Sequence, residues 1–339
     1  MIPTPYKHQY IDRTSRQIVT EKLIGDRSVS FLYSTVRENA PLVFRALTSG
    51  RMSSLLSFYH YDFLDGRKTN CKQLFSRQGI EWHECVEIPA YYNTPRKVFE
   101  RQIRYWECRP MAEDPAVLVS PADARVLIGS FSEVSSLFIK EKLFTPEELF
   151  GSDSRWYTRF TDGDFAVFRL TPDKYHYNHL PVSGRIADIY EVDGEYHSCN
   201  PSALIALASL YAKNKRVVTI IDTDVEGGSG VGLVAMIEVV ALMIGDIVQA
   251  YSSKGYDDPE RIKPGMFVTK GCPKSLYRPG SSTDIVIFEA DRMAFSRDLV
   301  HNSHRSDVQS RFTNSFGRPL VETDIKVRST IGHRIQSDK

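Results

Sequence analysis

The sequence predicts an α+β fold, a helical N-terminal region set on a β-rich core. Three observations carry that expectation. Apolar residues recur at helical spacing near the start (Val29, Leu32, Tyr33, Val36). From about Pro115, short runs of Val, Ile, Leu and Phe alternate with Gly, Pro, Asp and Asn. With 42% hydrophobic and 25% charged residues over 339 positions, the chain can bury a substantial core. The boundary falls near residue 112, giving a mainly helical stretch (1–112) and a β-rich remainder (113–339).

Taken in order, Val29 to Val36 predicts one helix, and Pro41 opens a second that stops at Gly50. The aromatic and basic residues of 57–63 and 91–106 read as helix and loop around a core. Strands are expected at Ala116–Val119, Arg125–Ile128, Phe165–Leu170, Val217–Ile221, within Met236–Val248, and at Asp284–Phe288. Asn200 caps a predicted helix over Pro201–Lys213, where Pro201 suits the first turn. Glu226–Gly232 superficially resembles a dinucleotide loop. The residues after Gly232 are β-like and offer no helix N-terminus for a phosphate, so a glycine-rich link between strands is the better reading.

Composition excludes several classes. A net charge of +1 gives no reason to expect nucleic acid. Five scattered cysteines (Cys71, Cys85, Cys108, Cys199, Cys272) form no C-x-x-C pair, against a disulfide framework or zinc knuckle and suited to a reducing cytoplasm. The N-terminus has no signal-peptide core. The longest apolar stretch, Gly232 to Gly245, is interrupted by Glu238 and falls short of the roughly 20 residues that span a bilayer. Peripheral contact with a lipid surface stays open.

Three segments carry candidate chemistry. Asp123, behind Pro121, could orient a neighbour or simply close a turn. His176 and His179 could ligate a metal, act as acid and base, or sit as ordinary hydrogen-bonded histidines. A metal would need more ligands, and His197 is the only other histidine nearby. Gly280-Ser281-Ser282 is a tight turn before a β-run, able to hold a hydroxyl against the preceding carbonyl. No G-x-S-x-G elbow supports a serine hydrolase.

Together, and in order, these segments resemble the phosphatidylserine decarboxylase family over roughly residues 115 to 290. VSPADARV (119–126) is similar to its S-P-A-D-G-x-V segment, and RLTPDKYHYNHLPVSGRI (169–186) to R-L-x-P-x-D-Y-H-R-x-H-x-P-x-x-G. KNKRVV (213–218) resembles N-E-R-V-V, and KGCPKSLYRPGSST (270–283) the processing segment K-G-x-E-x-G-x-F-x-x-G-S. The resemblance implies a proenzyme in which Ser281 attacks the Gly280 carbonyl, giving fragments 1–280 and 281–339 and a covalent pyruvoyl group made from Ser281. It further implies an Asp123–His179–Ser281 triad and His176 as proton donor in decarboxylation. The implied substrate is an amine, either phosphatidylserine or a soluble aromatic amino acid, and a homo-oligomer is implied as well.

Departures qualify the match. Ala124 replaces the family's glycine, Tyr177 its arginine, and Pro273 and Ser275 its Glu and Gly before the cut. Counting from Lys270-Gly271 selects Ser281, whereas counting back from Phe288 selects Ser282. Gly280 favours Ser281, because a glycine relieves crowding at the attacked carbonyl. An inactive relative that serves as a binding protein is the competing reading from another class.

Overall fold

The computed structural model describes residues 7–23, 25–50, 52, 75–76, 79–132, 144–151, 155–242, 246–280 and 282–335. Among them the strands in chain order are β1 (Gln9–Asp12), β2 (Ile18–Thr20), β3 (Val117–Val119), β4 (Ala124–Ser130), β5 (Asp164–Leu170), β6 (Tyr177–His179), β7 (Gly184–Val192) and β8 (Arg216–Asp222). They continue with β9 (Leu233–Val240), β10 (Ile247–Gln249), β11 (Phe267–Val268), β12 (Pro273–Tyr277), β13 (Ser282–Phe288), β14 (Met293–Phe295), β15 (Thr323–Ile325) and β16 (Thr330–Arg334).

Ten of these form one sheet in the order β11-β7-β8-β9-β13-β5-β4-β15-β1-β2, with smaller sheets β10-β12-β6 and β14-β16-β3. The architecture is α+β, as the sequence predicts. The start of the chain departs from the expected helical region: β1 pairs in parallel with β15, so residues 9–20 extend the sheet. Ile11 explains the placement, since its side chain is buried with Val308 and Val321. Helices come next at Asp26–Phe31 and Pro41–Leu47, the first continuing through a wider π-type turn at Leu32–Val36. Tyr33 on that turn is buried, and its hydroxyl accepts from the Ser198 N–H at 2.7 Å, tying the segment to the core.

The predicted helix over Pro201–Lys213 is two helices, Pro201–Ala206 and Leu210–Lys213. Asn200 caps the first by accepting from the Ser202 N–H at 2.8 Å. Ser209 takes a left-handed conformation (φ 52°), which the α-helix cannot continue through.

The centre of the fold is β13. It pairs antiparallel with β9 and β5 along all seven residues, and each of the seven is buried. Ile285 to Phe288 supply the hydrophobic drive, about 1.5–3 kcal/mol per fully buried side chain. The first three residues, Ser282, Thr283 and Asp284, are polar yet equally buried. That local conflict between residue type and environment marks the site.

Candidate active site at the head of the central strand

Gly280 leads into β13 with φ 152°, a conformation that side-chain-bearing residues rarely adopt. Ser281 lies outside the described residues. Ser282 stands opposite Val240 on one side and Leu170 on the other, and its Oγ is buried without a hydrogen-bond partner. A buried hydroxyl left unpaired costs about 1–3 kcal/mol, and with the Thr283 hydroxyl beside it also unpaired the strand head is a candidate site.

The strand β12, which runs up to this turn, pairs with β6, and the Tyr277 N–H donates to the His176 carbonyl at 3.1 Å. Side chains alternate along such a strand. Asn178 reaches the main sheet through Glu238, and by alternation His176 shares its face. Tyr175, Tyr177 and His179 face the other way, into an aromatic cluster with Tyr105 and Tyr256.

His179 is fully buried. Its Nδ1 donates to the Gly271 carbonyl at 2.8 Å, which fixes the tautomer because a carbonyl can only accept. Nε2 then accepts from the Tyr175 hydroxyl at 2.9 Å. Burial pushes the His179 imidazole down to about 3, against the opposing pull of the Gly271 carbonyl. His176 is also fully buried, both of its ring nitrogens are unpaired, and the Phe99 ring stands edge-on to it at 3.6 Å between centroids. Burial, aided by the nearby Arg101 cation, drives His176 well below the usual imidazole range.

Asp123 sits just before β4. Arg109 donates to both of its oxygens, at 3.1 and 2.8 Å, and the Val327 N–H adds a third bond at 2.7 Å. Burial opposes the charge, but Arg109 outweighs it and holds the carboxyl well below the usual range. Arg109 is held in turn by Glu84, at 2.9 Å to each oxygen. Asp123 and His179 therefore flank the same chain segment, the His179 N–H donating to the Pro121 carbonyl at 2.7 Å, with each side chain bonded to other partners. The hydrogen bonds found among the described residues do not link Asp123, His179, His176 and Ser282 to one another.

Residues that sequence reasoning missed lie between the two sheets. Glu238 on β9 is fully buried and accepts from Lys274 Nζ at 2.5 Å, Asn178 Nδ2 at 3.2 Å, Gln249 Nε2 at 3.3 Å and the Ser275 hydroxyl. Asp284 stands directly opposite Glu238 across the β9–β13 pair. The available signal was a charge inside an apolar run, at Glu238, and a second just before one, at Asp284; acidic side chains go so deep only when they have partners or a task.

A central strand that starts on an unpaired serine, behind a glycine-only turn, suits a proenzyme that turns its own backbone into a prosthetic group. The Ser282 hydroxyl and both ring nitrogens of His176 are buried polar atoms without a hydrogen-bond partner, the kind of group that a pyruvoyl group and its proton donor would call for. Proenzymes of that kind form a class, the self-processing, pyruvoyl-dependent carboxy-lyases, and similarity to known proteins places the chain in it. A family model described as phosphatidylserine decarboxylase matches residues 96–314. The phosphatidylserine decarboxylase proenzyme of Fusobacterium nucleatum is 30% identical over 313 residues, covering 90% of this chain and 95% of that protein. The proenzyme of Ruminiclostridium cellulolyticum is 28% identical over 293 residues (86% and 91%), and that of Chlamydia muridarum 31% over 214 residues (62% and 65%). The chain belongs to the phosphatidylserine decarboxylase family.

Proposed function

We propose that this chain decarboxylates phosphatidylserine to phosphatidylethanolamine after cutting itself at the head of β13. The observation that carries the reading is the glycine turn at Gly280 followed by buried, polar residues in the most central strand. Ser281 attacks the Gly280 carbonyl in the assignment made from the processing segment. Ser282 is the second assignment, favoured by its buried, unpartnered hydroxyl. His179, with Nδ1–H held by Gly271, offers Nε2 as the proton acceptor once the serine replaces the Tyr175 hydroxyl. Asp123, fixed in its charged form by Arg109, stabilises the imidazolium that results.

The pyruvoyl group supplies a ketone that takes the substrate amine and the electrons left when carbon dioxide departs. His176, buried and free at both ring nitrogens, is the residue assigned to hand over a proton.

No helix among the described residues is long and apolar enough to cross a membrane. Phe31, Leu42 and Val43 on the N-terminal helices are 58%, 79% and 52% exposed, and they offer an apolar contact for a membrane that presents the lipid. The remainder of the 29–63 stretch that could extend this contact, residue 51 and residues 53–63, lies outside the described residues.

Intact mass spectrometry of the purified protein tests the processing step, because it reports the cut position and the blocked new end together. Activity on phosphatidylserine liposomes against free serine and tryptophan tests the substrate. An unbroken 38.6 kDa chain in an active preparation overturns the processing step.

A further inference from the structure

The layer between the small sheet β10-β12-β6 and the main sheet holds a hydrogen-bond pattern that assigns a proton. The Tyr277 hydroxyl lies 3.0 Å from the Thr283 carbonyl and 2.8 Å from Asp284 Oδ1. A phenol carries one hydrogen, and a carbonyl and a carboxylate are both pure acceptors. One phenol hydrogen can serve both contacts only as a weaker, shared bond; two full hydrogen bonds require Asp284 to be the donor in the second.

We propose that Asp284 is a positioning residue for self-cleavage: as a carboxylic acid it donates to Tyr277, which leaves the phenol proton to hold the Thr283 carbonyl and with it the strand head that carries the processing serine. The proposal rests on the self-processing reading of Gly280 and the serines behind it.

The surroundings support it. Asp284 and Glu238 face each other across antiparallel strands, where two like charges repel. Lys274, the buried cation of this layer, gives its 2.5 Å bond to Glu238, and Gln249, Asn178 and Ser275 also turn to Glu238. On the β5 side the residue opposite Asp284 is Phe168, which carries no charge. Asp284 Oδ2 has no partner, an arrangement that a buried carboxylic acid tolerates far better than a buried carboxylate. Burial and the Glu238 charge push Asp284 well above the usual carboxyl range.

Were Asp284 to ionise, the phenol proton would turn to the carboxylate, and the Thr283 carbonyl would lose its bond. The clamp therefore depends on a proton, and an amide at this position imitates its closed form.

Two measurements test this. In an uncut Ser281→Ala/Ser282→Ala precursor, the infrared difference against the same protein carrying Asp284→Asn should show the carbonyl stretch of a protonated carboxylic acid at pH 7. Absence of that band overturns the proposal. In the otherwise native chain, Tyr277→Phe should slow precursor cleavage about tenfold, the order expected for one lost hydrogen bond. Asp284→Asn should cut within about threefold of the native rate at pH 7 and should lack any loss of cleavage that the native precursor shows as pH rises. Equal cleavage by the native chain and Tyr277→Phe overturns the clamp. A native chain that never cuts refutes the self-processing reading instead, and the infrared arm still decides the state of Asp284.

Discussion

His176 and His179, three residues apart at one short strand, point to opposite faces: by alternation His176 shares the face of Asn178 toward the main sheet, and His179 stands edge-on to Tyr105, 4.8 Å between ring centroids, on the other side. Alternation along a strand imposes this division, and it gives the two tasks proposed for these histidines separate surroundings.

The division predicts two different failures. His179→Ala should leave a precursor that does not cut, since the base for the serine hydroxyl is lost. His176→Ala should cut and then turn over about 100-fold more slowly or worse, the scale of a missing proton donor. Denaturing electrophoresis followed by the turnover number of the cut protein reads both. A His176→Ala protein with native turnover removes that residue from the chemistry.

Both histidines also set the acid stability of the precursor. Each has its pKa lowered by burial in the folded state, His179 to about 3. Between the unfolded value of about 6.5 and the folded one, the unfolded chain binds more protons, so stability is complete above about pH 6.5 and falls as pH drops. Each histidine contributes a slope of about 1.4 kcal/mol per pH unit in that window. Urea unfolding of the Ser281→Ala/Ser282→Ala precursor from pH 7 to pH 5 should show a decline approaching two protons, and a further His176→Leu change should remove one of them.

Asp123 answers to the opposite sign. Arg109 depresses its pKa against the effect of burial, so this stability is present above about pH 4 and is lost only as pH falls further, toward the folded value. Arg109→Gln removes the partner and leaves a buried charge, at a cost of about 3–5 kcal/mol. Chemical denaturation of the uncut precursor should show that loss, and it should shrink when Asp123→Asn is added, because the orphaned charge has then gone. A loss that stays the same in the double variant would mean that Arg109 acts on stability through Glu84 alone.

Much of the core was legible in the sequence because its signals are local. The runs at Phe165–Leu170, Val217–Ile221 and Asp284–Phe288 lie within β5, β8 and β13, and the glycine-rich segment after β8 is a link between strands. Partners contributed by distant chain segments were not legible. Nothing near Asp123 names Arg109 as its partner, and nothing in the His179 motif names Gly271, which is 92 residues away. The strands at residues 9–20 escaped notice because a four-residue strand with a single buried side chain, Ile11, and a three-residue edge beside it have almost no periodicity to read. Glu238 and Asp284 show the converse case. Their sequence neighbours predict burial, and the charge itself was the clue.

Cleavage before β13 should not release the C-terminal fragment, whichever serine reacts. That fragment of about 59 residues, the count set by a cut near residue 280 of 339, would carry β13, β14, β15 and β16. In the intact fold β13 lies between β9 and β5, β15 between β4 and β1, and β16 between β14 and β3. All these strands except β14 pair with strands of the larger fragment, so separation would break ladders on both edges of β13 and expose Ile285, Val286, Ile287 and Phe288, which are now fully buried. At about 1.5–3 kcal/mol per side chain, those four residues alone disfavour release by roughly 6–12 kcal/mol. The two chains should therefore elute together in size-exclusion chromatography without denaturant, and separate only under conditions that also abolish the far-ultraviolet signature of the sheet. Release of the small fragment from otherwise folded protein would show that β13 leaves its central place once the backbone is cut.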